Sequence, residues 1–467
     1  MNVMRDNSYS AVMARKNEIM KRAVGMDYDL FESGSIAFDY EAMMAATGYT
    51  LDAVRKIQTE EFQIGNTPLY ELKNLTALAR ACAPQGMGAR IFVKDEASNL
   101  SGSFKVRRAA TSIHQAKKMG YKGVISATSG NYGAAVAACA AKAGLKCIVV
   151  QECFDSKGIG QPEIIEKARK CEALGAEVVQ LTVGPELFYM FLRMLEETGY
   201  FNASLYTPFG IAGVETLGYE IAQQCRLMLG RDPDMVVCTN AGGGNLTGTA
   251  RGLLKAGAKS EVVAASVNLS GLHMASDHQF NLKSFTTGHT GFGMPFSTWP
   301  DRSDVPRSAA RPLRYMDRYV TVNQGEVFYT TEMLAALEGM EKGPAGNTSL
   351  AAAFALSQTM PKDKIIVVQE TEYTGAGKHV NAQLSFARSN GIDIHFGNPE
   401  DEVPGKSIIL PSHPSMIKAR PADMTHLRAS LIRNALKMTG KEPTDADIDF
   451  LAEETKTDRT FVKEHLA

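Results

Sequence analysis

Net charge of either sign is what this 467-residue chain most lacks: 50 lysines and arginines face 51 aspartates and glutamates, leaving −1. That balance removes the electrostatic reason to expect nucleic acid or an anionic membrane surface as a partner. Long apolar runs are missing too. None approaches the roughly 18 residues a spanning helix needs, so no membrane span is expected. The opening Met1-Asn2-Val3-Met4-Arg5-Asp6-Asn7 is broken by polar and charged residues and lacks a signal-peptide core. A soluble cytoplasmic protein is the expectation. The seven cysteines (Cys82, Cys139, Cys147, Cys153, Cys171, Cys225, Cys238) are odd in number, loosely spaced and without a Cys-x-x-Cys. They read as reduced, mostly buried small hydrophobes, and no metal site is expected. Internal repeats and low-complexity tracts are likewise absent.

What is present is enough apolar material, 44% of the chain, for more than one hydrophobic core. Residues 1–63 read as mostly helical, with amphipathic stretches at 11–24 and 51–62. From Ile64-Gly65-Asn66-Thr67-Pro68-Leu69 onward, strands alternate with helices. Strands are expected at 89–94, 123–126, 147–151 and 178–181, with helices at 107–119, 132–143, 162–174 and 186–198 between and after them. A second run places helices at 213–229, 246–254, 327–338 and 349–358 around strands at 235–238, 262–267 and 365–369. Apolar, β-branched strands separated by helices imply parallel sheets covered on both faces. Two such blocks imply two lobes with a cleft between them, a common place for a small-molecule site. Residues 270–320 break the rhythm, and the proline-bearing tail after 400 reads as a linker followed by polar helices.

Three segments carry candidate chemistry. Lys105, in Ser101-Gly102-Ser103-Phe104-Lys105, reads as lying on a short loop after a strand. A lysine dried in a cleft there has a lowered pKa and becomes a nucleophile toward an aldehyde. Gly242-Gly243-Gly244-Asn245-Leu246-Thr247-Gly248 lies between a strand and a helix. Successive glycines let backbone N–H groups converge on a phosphate, and the helix start adds a favourable dipole. A dinucleotide fingerprint is excluded, because its third glycine would fall on Thr247, and no Lys-Ser/Thr pair follows to make a P-loop. Thr128-Ser129-Gly130-Asn131, also between strand and helix, suits a substrate carboxylate, or else Ser129 or Asn131 simply caps the helix. A further polar cluster, Glu370-Thr371-Glu372-Tyr373-Thr374, follows the strand at 365–369.

Together these residues resemble the fold type II, or tryptophan-synthase-β-like, class of pyridoxal phosphate enzymes. Gly102-Ser103-Phe104-Lys105 with Arg107 is similar to the lysine motif of threonine synthases. Ser129-Gly130-Asn131 resembles the substrate loop of cysteine synthases, and Thr207-Pro208-Phe209 with residues 213–220 resembles the return to the larger lobe. The resemblance spans about 64–390. It implies an α/β fold of two open twisted lobes with pyridoxal 5'-phosphate in the cleft, plus helical N- and C-terminal extensions. The division it implies is an extension at 1–63, a larger lobe of 64–91 and 215–400, a smaller mobile lobe of 92–214, and an appendage at 401–467. Lys105 would carry the cofactor covalently and move protons. Gly242, Gly243, Gly244 and Asn245 would hold the phosphate, Asn131 the ring hydroxyl, and Thr128, Ser129, Gly130 and Asn131 the substrate. Thr374 would meet the pyridine nitrogen, with Glu370 or Glu372 as the acidic alternative.

Arg5-Asp6-Asn7-Ser8-Tyr9, Lys94-Asp95-Glu96-Ala97-Ser98 and Asp447-Ile448-Asp449-Phe450-Leu451 extend the resemblance to the β subunits of thiolases acting on 2-amino-4-oxopentanoate. That family implies cleavage with coenzyme A to acetyl-CoA and alanine, in ornithine breakdown, with a small α subunit and a homo-oligomer of β or αβ. The alternatives are an amino-acid lyase or β-replacement enzyme of the threonine synthase or diaminopropionate ammonia-lyase type, and a non-catalytic regulatory subunit. No coenzyme A motif is present. Arg302, Arg307, Arg311, Arg314 and Arg318 either meet its phosphates or form a solvated basic loop. No cysteine has an obvious histidine partner, so an acyl-cysteine route is not indicated.

Overall fold

The structure is a computed structural model that describes residues 5–128, 130–270, 277–286, 293–299, 301–302, 307–370, 372 and 380–466. Among the described residues, thirteen strands form three sheets. The first six are β1 (Leu69–Glu71), β2 (Arg90–Asp95), β3 (Gly123–Thr128), β4 (Lys146–Phe154), β5 (Glu177–Thr182) and β6 (Phe201–Asn202). Then come β7 (Met235–Thr239), β8 (Glu261–Val267), β9 (Arg318–Val322), β10 (Ile365–Glu370), β11 (Asp393–Gly397), β12 (Ser407–Pro411) and β13 (Arg420–Pro421). The larger sheet has the order β1-β2-β10-β7-β8-β9-β13 and the smaller β5-β4-β3-β6, while β11 and β12 pair alone.

The smaller sheet is wholly parallel. The larger has a parallel centre from β2 to β9 and one antiparallel strand at each edge, β1 and β13. Its central strands are continuous apolar runs because both faces are covered. Alternation sends Val236, Cys238, Ala264 and Val367 into one core and Val237, Val263, Ala265 and Val368 into the other.

Helix Pro208–Leu229 crosses helix Gly244–Lys255 at very close range. A side chain at Gly218 would collide with the Thr249 carbonyl, and one at Gly252 with the Glu215 carbonyl. The second helix begins at the glycine turn, so this crossing fixes where the turn sits.

A buried ionic cluster joins the Lys105–Lys118 helix to the larger sheet. Arg107 donates to Glu96 through Nε at 2.7 Å and to Glu220 through Nη1 at 2.8 Å. Lys94 Nζ reaches Glu220 at 2.8 Å and the Thr67 carbonyl at 2.6 Å. Two cations meet two carboxylates, so the cluster is neutral. Burial pushes the Glu220 carboxyl up, but Arg107 and Lys94 more than reverse this and leave it well below the usual range.

The terminal segments pack on the chain itself. Val12, Ile19, Met20 and Ala23 join Phe191, Leu192 and Leu195 in one core. Asp447, in helix Asp445–Thr455, accepts from the Ile36 and Ala37 amides at 2.8 Å each.

Several expectations need correction. Lys105 is the first residue of a helix rather than a loop residue, since that helix begins two residues earlier than the apolar pattern implied. The boundary between 91 and 92 falls inside β2, whose six residues all pair with β10. The boundary at 214/215 falls inside helix Pro208–Leu229. The tail is more than a linker: it supplies β12 and the edge strand β13, where Pro421 is tolerated because an edge lacks a second neighbour to pair with. The stretch 51–62 is an α-helix to Lys56 and a π-helix from Ile57 to Phe62. The stretch 11–24 is two helices, Tyr9–Ala14 and Lys16–Val24, with Arg15 between them.

Candidate active site

Lys105 follows a kinked approach in which Ser101 and Gly102 take positive φ (62° and 74°). Ser103 forms an isolated antiparallel bridge with Glu372, which brings Glu372 against the lysine. The Lys105 side chain keeps 22% of its surface exposed, and its Nζ lies 4.9 Å from the Phe104 ring centroid and 3.6 Å from Glu372 Oε2. Burial pushes the amine down to about 8. The positive charges of Lys167 and Arg108 act in the same direction, and Glu372 opposes them. A lysine in that range supplies neutral amine near neutral pH, as a nucleophile toward an aldehyde requires.

The glycine turn leads from β7 into helix Gly244–Lys255. Gly243 has φ 82°, and a Cβ on it would lie 2.5 Å from Pro312 Cγ. A Cβ on Gly242 would overlap the Tyr206 hydroxyl, and one on Gly244 would lie 2.7 Å from Arg108 Nη2. These three positions therefore have room for backbone alone. Among the described residues no side chain caps the helix, so its first N–H groups and the positive end of its dipole face the turn. Asn245 Oδ1 is buried without a partner among the described residues. An uncapped start that presents backbone N–H donors fits a phosphate.

Arg108 ties the turn to the lysine. It lies three residues beyond Lys105, on the same face of the helix. Its guanidinium reaches Gly244 and is surrounded by the rings of Phe104, Tyr206 and Tyr132, at 5.5, 5.6 and 5.8 Å.

The Thr128–Asn131 segment joins β3 to helix Asn131–Ala143. Thr128 Oγ1 accepts from the amides of Gly130 at 3.0 Å and Gly133 at 3.3 Å. Gly130 occupies the cap position and among the described residues no side chain caps the helix, so Asn131 is its first residue and not its cap. Asn131 Nδ2 is buried and unpartnered among the described residues. A Cβ on Gly130 would lie 2.8 Å from Lys167 Nζ, and Lys167 in turn pairs with Glu163 at 2.5 Å.

Of the expected site residues, Ser129 and Thr374 lie outside the described ones. Glu370 ends β10, and Glu372 sits beside Lys105. Sequence reasoning missed Arg108, Lys167 and Tyr206. Arg108 was detectable from its three-residue spacing from the lysine; the other two give no such sign.

The basic segment is not an open anion site. Arg307 pairs with Glu32 at 2.7 Å, Arg311 with Asp301 and Glu454, Arg314 with Glu453 and Glu454, and Arg318 with Glu261. Arg302 lies over the Phe188 and Tyr206 rings. Six of the seven cysteines are buried, and burial pushes the thiols of Cys147, Cys153, Cys171, Cys225 and Cys238 up to about 12. Among the described residues no cluster of three or more His, Cys, Asp or Glu could hold a metal, and no helix is long and apolar enough to cross a membrane.

Comparison with known proteins gives a consistent picture. A family model described as pyridoxal-phosphate dependent enzyme matches residues 60–372. The chain is 74% identical over 460 residues to a 2-amino-4-ketopentanoate thiolase beta subunit of Acetoanaerobium sticklandii, covering 98% of each chain. It is 66% identical to another protein of that name from an unknown prokaryotic organism, covering 98% of this chain and 97% of that one. Among solved structures, it resembles a cysteine synthase from Entamoeba histolytica (TM-score 0.53, 20% identity, 70% of this chain and 94% of that one). A pyridoxal 5'-phosphate-dependent aspartate racemase gives a TM-score of 0.54 at 19% identity, over 70% of this chain and 96% of that one. At those identities the structural likeness concerns the fold alone.

Proposed function

The chain belongs to the pyridoxal-phosphate dependent enzyme family, and we propose that it is the β subunit of a thiolase that cleaves 2-amino-4-oxopentanoate with coenzyme A. The products would be acetyl-CoA and alanine, in the cytoplasmic breakdown of ornithine. The observation that carries this reading is the extent of the 74% identity. It runs over 460 residues and so takes in the terminal extensions on both sides of the matched family region, 60–372.

Lys105 holds the cofactor through Nζ and moves the substrate's α-proton. Its amine, lowered to about 8, suits both tasks near neutral pH. Gly242, Gly243, Gly244 and Asn245 seat the phosphate, and Asn131, whose Nδ2 is buried and unpartnered among the described residues, is our choice for the ring hydroxyl. Thr128, Ser129, Gly130 and Asn131 orient the substrate carboxylate at the uncapped start of helix Asn131–Ala143. The Glu372 carboxylate, 3.6 Å from Nζ, stabilises the ammonium form of the lysine once it has taken the proton. The pyridine nitrogen is assigned to Thr374, with Glu372 or Glu370 as the acidic alternative. When bound, the cofactor supplies the electron sink that stabilises negative charge at the substrate α-carbon. The part of the chain that carries the smaller sheet, β3 to β6, closes as a lid, excluding water from that charge.

Coenzyme A and a small α subunit complete the proposal. The carboxylate pairing of four of the five arginines favours a coenzyme A site outside that segment, built partly by the α subunit. The experiment is to assay the purified chain, with and without the co-expressed α subunit, for acetyl-CoA and alanine from 2-amino-4-oxopentanoate and coenzyme A. Formation of both only when coenzyme A is present supports the proposal. Release of pyruvate or ammonia from small amino acids without coenzyme A overturns it in favour of a lyase.

A further inference from the structure

Two adjacent arginines have opposite circumstances. Arg107 is fully buried and held by Glu96 and Glu220. Arg108 is 2% exposed, yet no hydrogen bond or carboxylate engages its guanidinium among the described residues, and its Nε is orphaned. A guanidinium carries five donors and cannot shed its charge. Burying one without a counter-ion is strongly unfavourable. The rings of Phe104, Tyr132 and Tyr206 compensate in part through cation–π attraction, but ring faces leave the in-plane N–H donors unused. Such a side chain persists in a fold when an anion completes it.

The direction in which Arg108 points identifies the anion. Its Nη2 lies where a Gly244 side chain would begin, at the uncapped start of a twelve-residue helix whose own N–H groups face the same turn. A buried free cation and an uncapped helix start thus converge from two elements. A phosphate matches both, because a planar fork and a row of backbone donors can bind different oxygens of one group.

We propose that Arg108 is the dedicated counter-charge of the cofactor's phosphate, and that this side chain is the main source of the site's preference for phosphorylated over unphosphorylated pyridoxal. This rests on the cofactor reading above. It adds a positioning and specificity residue to the glycine turn, which supplies only neutral donors.

The test measures binding of pyridoxal 5'-phosphate and of pyridoxal to the cofactor-free full-length chain, wild type and Arg108→Met, by calorimetry. Loss of one bidentate, charge-assisted contact weakens pyridoxal 5'-phosphate about 10- to 100-fold and leaves pyridoxal unchanged. Arg108→Lys, which keeps the charge and loses the fork, falls between. The cofactor-free Arg108→Met protein melts at or above the wild-type temperature, because it lacks an uncompensated buried charge; a merely structural arginine would lower it. Inorganic phosphate, compared with chloride at equal ionic strength, raises the melting temperature of the cofactor-free wild type, a measurement independent of any variant. Equal affinity of Arg108→Met and wild type for pyridoxal 5'-phosphate, equal losses for both ligands, or no effect of inorganic phosphate on the wild type would each overturn the proposal. Failure of the wild type to bind either form of pyridoxal would instead overturn the cofactor reading itself.

Discussion

Replacing Glu372 by glutamine should move the pH at which Lys105 reacts, in a direction the geometry dictates. The carboxylate lies 3.6 Å from Nζ and favours the ammonium form. At that distance two unit charges in an effective dielectric of about 20 attract by about 4–5 kcal/mol. With 22% of the lysine side chain exposed, solvent screens most of this. About a third remaining, about 1.4 kcal/mol, corresponds to one pH unit. The wild-type amine, lowered to about 8, is neutral in about one molecule in ten at pH 7. Glu372→Gln removes the charge that stabilises the ammonium, so the pKa falls and the neutral fraction at pH 7 rises. The assay is stopped-flow absorbance of pyridoxal 5'-phosphate attachment to cofactor-free protein from pH 6 to 10. The wild-type rate should rise with pH about a midpoint near 8, and that of the variant about a midpoint roughly one unit lower. The swap is isosteric, and the Gly343 amide bonds the Glu372 backbone rather than its side chain, so the fold should persist. An unchanged or raised midpoint in a folded variant would refute the reasoning. The same shift implies that the cofactor-free protein gains stability as pH rises from about 8 to 10.5, because there the unfolded chain binds a proton that the folded chain has shed.

Two further outcomes follow from neighbouring parts of the structure. Gly243→Ala combines a positive φ with a Cβ 2.5 Å from Pro312, which together cost about 2–4 kcal/mol; cofactor affinity should drop at least tenfold by calorimetry, while circular dichroism shows the fold retained. Arg107→Met leaves Glu96 and Glu220 short of a buried cation and should destabilise the chain by about 3–5 kcal/mol in denaturant melts, well beyond any effect of Arg108→Met.

Much of the candidate site was legible because its signals are local. A strand, a run of glycines and a helix can be read from residue order, and so can the small residues ahead of Lys105. The apolar, β-branched runs at 235–238 and 262–267, set between helices, were sufficient to imply a parallel sheet covered on both faces. What escaped the sequence depends on non-local pairing. β9 lay hidden at the end of an irregular stretch, and β13 is two residues long and includes a proline, so neither has a periodicity of its own; each exists because its neighbour supplies the ladder. The place of 92–95 has the same origin, since only the pairing with β10 puts these residues in the larger sheet. Arg107 and Arg108 read alike in sequence and differ because Glu220, more than a hundred positions away, satisfies one of them. The arginines of the 302–318 segment looked free for the converse reason: Glu32, Glu261, Glu453 and Glu454, which pair with four of them, are distant in sequence.

The claim on which the other readings depend is covalent attachment of the cofactor to Lys105. Borohydride reduction of the pyridoxal 5'-phosphate-loaded protein, followed by peptide mass spectrometry, tests it directly. The account predicts one phosphopyridoxyl group per chain, on the peptide containing Lys105, and none in Lys105→Ala. Modification of Lys167 or another lysine in its place, or no stable modification at all, would contradict it.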